Sequence, residues 1–138
     1  MSIQVSYEEI PYRLKNKNKV LKWIISSTKS ENYRIGQVSI SFVSKSKVKA
    51  INKQFLKHNY FTDIITFDYS GAKLLEGELI ICPEVVKTNA RDYGSTFSEE
   101  MLRVIVHGFL HMMKYDDKSN RKRKVMRSKE DFYISKFK

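Results

Sequence analysis

Two hydrophobic periods alternate along this chain, and their order restricts the fold more than any other feature. Ile3, Val5 and Tyr7 recur at every second residue, the period of a half-buried strand. Pro11 then precedes a helix expected over residues 12 to 27, with Leu14, Leu21, Ile24 and Ile25 turned inward. Gly36 marks a turn into a second alternating strand carrying Val38, Ile40 and Phe42. A second helix is expected from Lys45 to Leu56, with Val48, Ile51 and Phe55 on one side. Residues 63 to 69 are dense in β-branched and aromatic side chains and read as a third strand. Ser70-Gly71-Ala72-Lys73 then turns the chain into a fourth strand over residues 75 to 82, which makes an antiparallel hairpin. The two strand–helix–strand units favour parallel, right-handed crossovers. After Pro83 the pattern is helical: one helix to about Tyr93, one over residues 98 to 114, and a basic C-terminal one. Thr96 or Ser98 can cap the second of these, with Glu99 and Glu100 in its first turn. The expected fold is α/β (α+β-like), a four-stranded mixed sheet with its last strand antiparallel, packed by these helices.

The length of 138 residues suits one domain spanning residues 1–138, with no repeat or linker to divide it. One cysteine excludes an internal disulfide, and Cys82 sits in the apolar run Leu79-Ile80-Ile81-Cys82, where a buried inert thiol is expected. Glu8 and Glu9 interrupt any leader-like start. The longest apolar-rich stretch, residues 101 to 113, falls short of the roughly 20 residues a membrane span needs. A soluble, cytoplasmic protein is expected. The net charge of +11 points to a polyanionic partner such as nucleic acid, or to a solubility charge. The densest cluster, Arg121-Lys122-Arg123-Lys124, reads as the solvated face of the last helix or as an RNA contact.

Two of the three histidines, His107 and His111, lie four residues apart in the most apolar helix. That spacing puts both imidazoles on one face, one turn apart, within reach of a single ion. The alternative is two core histidines, each satisfied by its own hydrogen bond. Asp117 follows six residues later, and a chain that turns back after Lys114 can bring its carboxylate to the same point. Two imidazoles and one carboxylate suit zinc first, and nickel, cobalt or iron as well; three protein ligands leave a fourth position for water or substrate. Asp116 is read as a turn or supporting carboxylate. The spacing matches the metalloprotease signature H-E-x-x-H-x-x-G-x-x-H, except that Gly108 replaces the base glutamate and Asp117 the third histidine.

The segment from His107 through Gly108, Leu110, His111 and Tyr115 to Asp117 resembles the motif H-G-x-L-H-L-x-G-Y-D-H of the YbeY family of bacterial rRNA maturation endoribonucleases. Upstream, Ile51-Asn52 and the run from Tyr60 to Phe67 resemble the family's L-N pair and T-D-V-L-S-F-like strand. Gly77-Glu78-Leu79-Ile80-Ile81-Cys82 resembles its G-D-I-x-I-C-like strand. The similarity covers roughly residue 36 to the C-terminus. The chain departs from the pattern at Asp117 (a histidine in the family), Lys114 (a glycine that ends the metal helix) and Leu56 (an arginine associated with RNA cleavage).

The resemblance implies a metal-dependent endoribonuclease specific for single-stranded rRNA, maturing the 3′ end of small-subunit rRNA and acting in ribosome quality control. It implies one Zn2+ held by His107, His111 and Asp117, with other divalent transition metals possible, and the small ribosomal subunit as partner. Lys57 stands beside the arginine position as a candidate catalytic cation. Lys53, Lys57, Arg103 and Lys114 are candidate phosphate contacts, each also readable as surface charge. His58 is a candidate polar group near the cleft or a surface residue, and Asp63 a ligand-orienting or turn-capping carboxylate. A non-catalytic rRNA-binding assembly factor with a structural metal and a metallopeptidase-like hydrolase are the alternatives.

Overall fold

The computed structural model describes residues 2–57 and 61–138. The described elements run β1 (Ser2–Tyr7), α1 (Lys17–Ser30), β2 (Arg34–Phe42), α2 (Lys45–Leu56), β3 (Ile64–Asp68), β4 (Leu74–Ile81), α3 (Pro83–Tyr93), α4 (Phe97–Met112) and α5 (Asn120–Phe137). The mixed four-stranded sheet has the order β1-β2-β4-β3, with β1 and β4 parallel to β2 and β3 antiparallel to β4. The antiparallel hairpin and the parallel β1–β2 crossover are as the sequence implies. Two finer expectations are corrected. β3 is not a parallel neighbour of β2, and β3, not β4, is the strand that runs against the rest. The cause is burial: Leu75, Leu79 and Ile81 of β4 are fully buried, which suits a central strand. The shorter β3 ends in Asp68 and takes the edge. The helix expected from residue 12 begins only at Lys17, because Asn16 adopts a left-handed conformation (φ 56°) that breaks helical winding.

The main core lies on one face of the sheet, where Val20 and Ile24 of α1 and Ile105, Phe109 and Met112 of α4 meet Ile40 and Leu79. A smaller cluster under α2 joins Val43, Val48, Ile65 and Cys82. Cys82 is fully buried, and burial pushes its thiol pKa up, as expected of an inert cysteine. Phe55 of α2 departs from its expected inward position: it is 58% exposed, its ring edge set against Phe67. Close approach fixes two glycines. A Cβ on Gly77 would lie 2.1 Å from the Phe67 carbonyl oxygen, and one on Gly108 would lie 2.8 Å from Leu79. Gly108 thus seats α4 directly on the sheet, with His107 and His111 on one flank of the helix, about 100° and 60° round from it. Among the described residues, no helix is long and apolar enough to cross a membrane.

Candidate metal centre

The helix that carries the histidines is held at both ends. The Thr96 hydroxyl accepts from the Glu99 amide at 3.1 Å, and Glu99 and Glu100 in the first turn complement the helix dipole. At the other end Lys114 takes φ 77°, its amide donating to the His111 carbonyl while that of Tyr115 donates to Leu110, each at 3.0 Å. This left-handed turn reverses the chain and brings Asp117 back over the last turn of α4. Asp116 closes the loop, accepting from the Lys118 amide at 3.0 Å and pairing with Lys122 at 3.3 Å. Asp116 is therefore the turn carboxylate, as the sequence suggested.

His107 Nε2 and His111 Nε2 lie 3.0 Å apart, and Asp117 Oδ2 is 3.9 Å from each. These three form a cluster able to hold a metal ion. The point equidistant from the three atoms lies about 2.1 Å from each, the length of a zinc–imidazole bond. Nitrogen and carboxylate donors at that separation fit a divalent transition metal.

Glu130, on α5, completes the arrangement and was not singled out from the sequence. Its Oε2 lies 2.6 Å from His107 Nδ1, while Oε1 accepts from Arg103 at 3.0 Å; Arg103 also pairs with Asp131 at 2.8 Å. A carboxylate on Nδ1 holds that proton in place and leaves Nε2 free to face an ion. Burial alone would lower the His107 pKa, but the hydrogen bond and charge of Glu130, helped by Asp117 and Asp63, hold it above the ordinary value. His111 is pushed below it by burial and by the charge of His107. The signal for Glu130 was present in the sequence. It stands between Met126 and Tyr133 on the buried stripe of a helix rich in Lys and Arg, with only 5% of its surface exposed.

The other candidates scatter. Arg103, proposed for RNA, has its guanidinium engaged by Glu130 and Asp131 beside His107. Lys114 is exposed and pairs with Asp68 at 3.6 Å. Lys57 caps the end of α2 in a left-handed conformation, and no described hydrogen bond or ion pair joins Lys53 or Lys57 to the triad. Leu56 is 44% exposed at the end of the same helix. Asp63 lies within electrostatic reach of His107, accepts from Asn89 at 3.4 Å and has a pKa raised by burial. His58 lies outside the described residues.

Fold and site together define the class: an α/β protein whose candidate metal triad rides on a buried helix and the turn that follows it. The family model described as Endoribonuclease YbeY matches residues 2–138. The chain belongs to the YbeY family. Among curated relatives, Endoribonuclease YbeY of Bacteroides fragilis is 37% identical over 131 residues, covering 95% of this chain and 94% of the relative. Endoribonuclease YbeY of Cytophaga hutchinsonii is 38% identical over 129 residues, covering 93% and 90%. A solution structure of a Thermotoga maritima protein superimposes with a TM-score of 0.70 at 27% identity, covering 99% of this chain and 89% of that one.

Proposed function

We propose that residues 1–138 form one metal-dependent endoribonuclease domain that cuts single-stranded rRNA in the cytoplasm. Its task is maturing the 3′ end of small-subunit rRNA and removing defective ribosomes, with the small subunit as partner. The carrying observation is the convergence of His107, His111 and Asp117 on one point in a chain of this family. The three side chains would hold one Zn2+, which when bound supplies Lewis acidity and charge neutralisation at a phosphodiester. Glu130 orients His107, and Arg103 holds Glu130 in place. Lys53, Lys57 and Lys114 neutralise the RNA backbone, with Lys57 the cation nearest in sequence to the family's arginine position. On α4 a base glutamate has no room at position 108, since its Cβ would run into Leu79 and Ile64. This weighs against peptidase chemistry.

The test is cleavage of an unstructured rRNA fragment by zinc-loaded chain, its chelated form and His111→Ala. Cutting only by the first is expected; metal-replete chain that binds the fragment and leaves it whole would sink the nuclease reading. The exposed Leu56, standing where the family has arginine, favours a second reading: an rRNA-binding assembly factor with a structural metal. In that case His111→Ala lowers thermal stability and leaves RNA affinity unchanged.

A further inference from the structure

A groove between α1 and α5 carries charge that the metal centre does not use. Lys19, Lys22, Ser26 and Ser30 of α1 line one wall, Lys136 and Phe132 of α5 the other, and the buried Trp23, Ser27 and Tyr133 lie between them. Among the described residues no carboxylate lines it, and α1 itself contains no acidic residue. Glu31, which accepts from the Tyr133 hydroxyl at one end, is matched by Lys129 at 2.9 Å. The floor is rigid, because the buried Trp23 donates its indole N–H to the Tyr133 carbonyl at 2.7 Å. Phe132 is 50% exposed, with the Lys136 ammonium 5.2 Å from its ring centre. On the facing side Lys19 lies 4.4 Å from the ring centre of Phe137. Phe132 stands two positions beyond Glu130, about 200° round the helix. Since Glu130 faces His107, the Phe132 ring stands on the other side of α5 from the triad.

We propose that this groove is a second docking track for single-stranded RNA, gripping a stretch of the strand beyond the nucleotides at the metal centre. The lysines meet successive phosphates, the Ser26 hydroxyl supplies a neutral hydrogen bond, and the exposed Phe132 ring offers a face on which a base stacks. A purely acidic peptide has no use for that aromatic face, and a membrane surface needs a wider apolar one. The inference rests on the reading of the chain as acting on RNA. It adds that long substrates are held more tightly than short ones by contacts remote from the chemistry.

The test compares the parent chain with the triple variant Lys19→Gln/Lys22→Gln/Lys136→Gln and with Phe132→Ala. All four side chains are solvent-exposed, and thermal melts check folding. Binding and cleavage are measured over a salt series on labelled unstructured RNAs of about 24 and about six nucleotides, bracketing one binding track. The triple variant is expected to bind the long RNA about tenfold more weakly, with its log–log salt slope smaller by about 2. Handling of the short RNA stays as in the parent, and Phe132→Ala weakens the long RNA without changing the salt slope. A triple variant that binds the long RNA as the parent does overturns the proposal. So does one that loses only polyglutamate or phosphatidylglycerol vesicles. A parent chain that binds the long RNA through these lysines and cuts nothing overturns the nuclease reading while the groove stands.

Discussion

Glu130 shows how one buried carboxylate can govern a site it does not enter. It reaches His107 with one oxygen and Arg103 with the other, so the imidazole is fixed in both rotation and tautomer. Substituting Glu130→Gln keeps the shape but removes the charge that orients the ring. Losses of about 10–100-fold in zinc affinity are expected, as for other partners of metal-bound histidines. Competition against a chromophoric chelator measures this, and an unchanged affinity would mean that Glu130 only packs. Lys114 offers the opposite case, a residue held where its side chain is unfavourable. A non-glycine residue at φ 77° is strained by about 1–2 kcal/mol, which glycine relieves at an entropic cost of about 0.5–1 kcal/mol. Lys114→Gly is therefore expected to raise stability by about 0.5–1 kcal/mol in urea unfolding. A loss would show that the Asp68 pair outweighs the strain.

Between elements, Glu31 is the clasp. Following α1, it accepts from Tyr115 at 2.8 Å, from Lys129 at 2.9 Å and from Tyr133, and so ties the turn that carries Asp117 to α5. Burial works to raise its pKa, but these donors win and hold it below the ordinary 4.5. The unfolded chain therefore takes up this proton first as pH falls. The stabilisation is whole above about pH 4.5 and drains away as the pH drops through the lower folded-state value. Glu31→Gln should lower stability at neutral pH by about 1–2 kcal/mol and flatten the acid limb of the stability profile. An acid limb of unchanged slope in that variant would assign the acid sensitivity elsewhere. Not all of these joints were open to reading in advance. The histidine pair, the returning Asp117 and the alternation of strands and helices are local signals and stood in the sequence. The insertion of β4 beside β2, and the pairing of Glu130 with a histidine 23 positions earlier, depend on contacts across the fold, which periodicity does not encode. The late start of α1 was hidden too, since Asn16 tolerates helical and left-handed backbone alike.

At the scale of the molecule, the triad joins the last two turns of α4 to the loop that leads into α5, and Glu130 ties α5 back to the same candidate site. An ion held there would close this loop in the folded state, whereas the unfolded chain offers no preformed site. Binding must then stabilise the whole fold by mass action. At free zinc one hundred times the dissociation constant, the gain is about 2.7 kcal/mol. For a chain of this size that corresponds to a rise on the order of 10 °C in Tm. Calorimetry of the zinc-loaded and chelated chain reads this shift directly, and His111→Ala should abolish the zinc-dependent part while leaving the chelated melt close to that of the parent. The last comparison separates a metal centre from a histidine cluster that packs. If His111 served only packing, its removal would lower the melt equally with and without zinc, because the loss would belong to the protein alone.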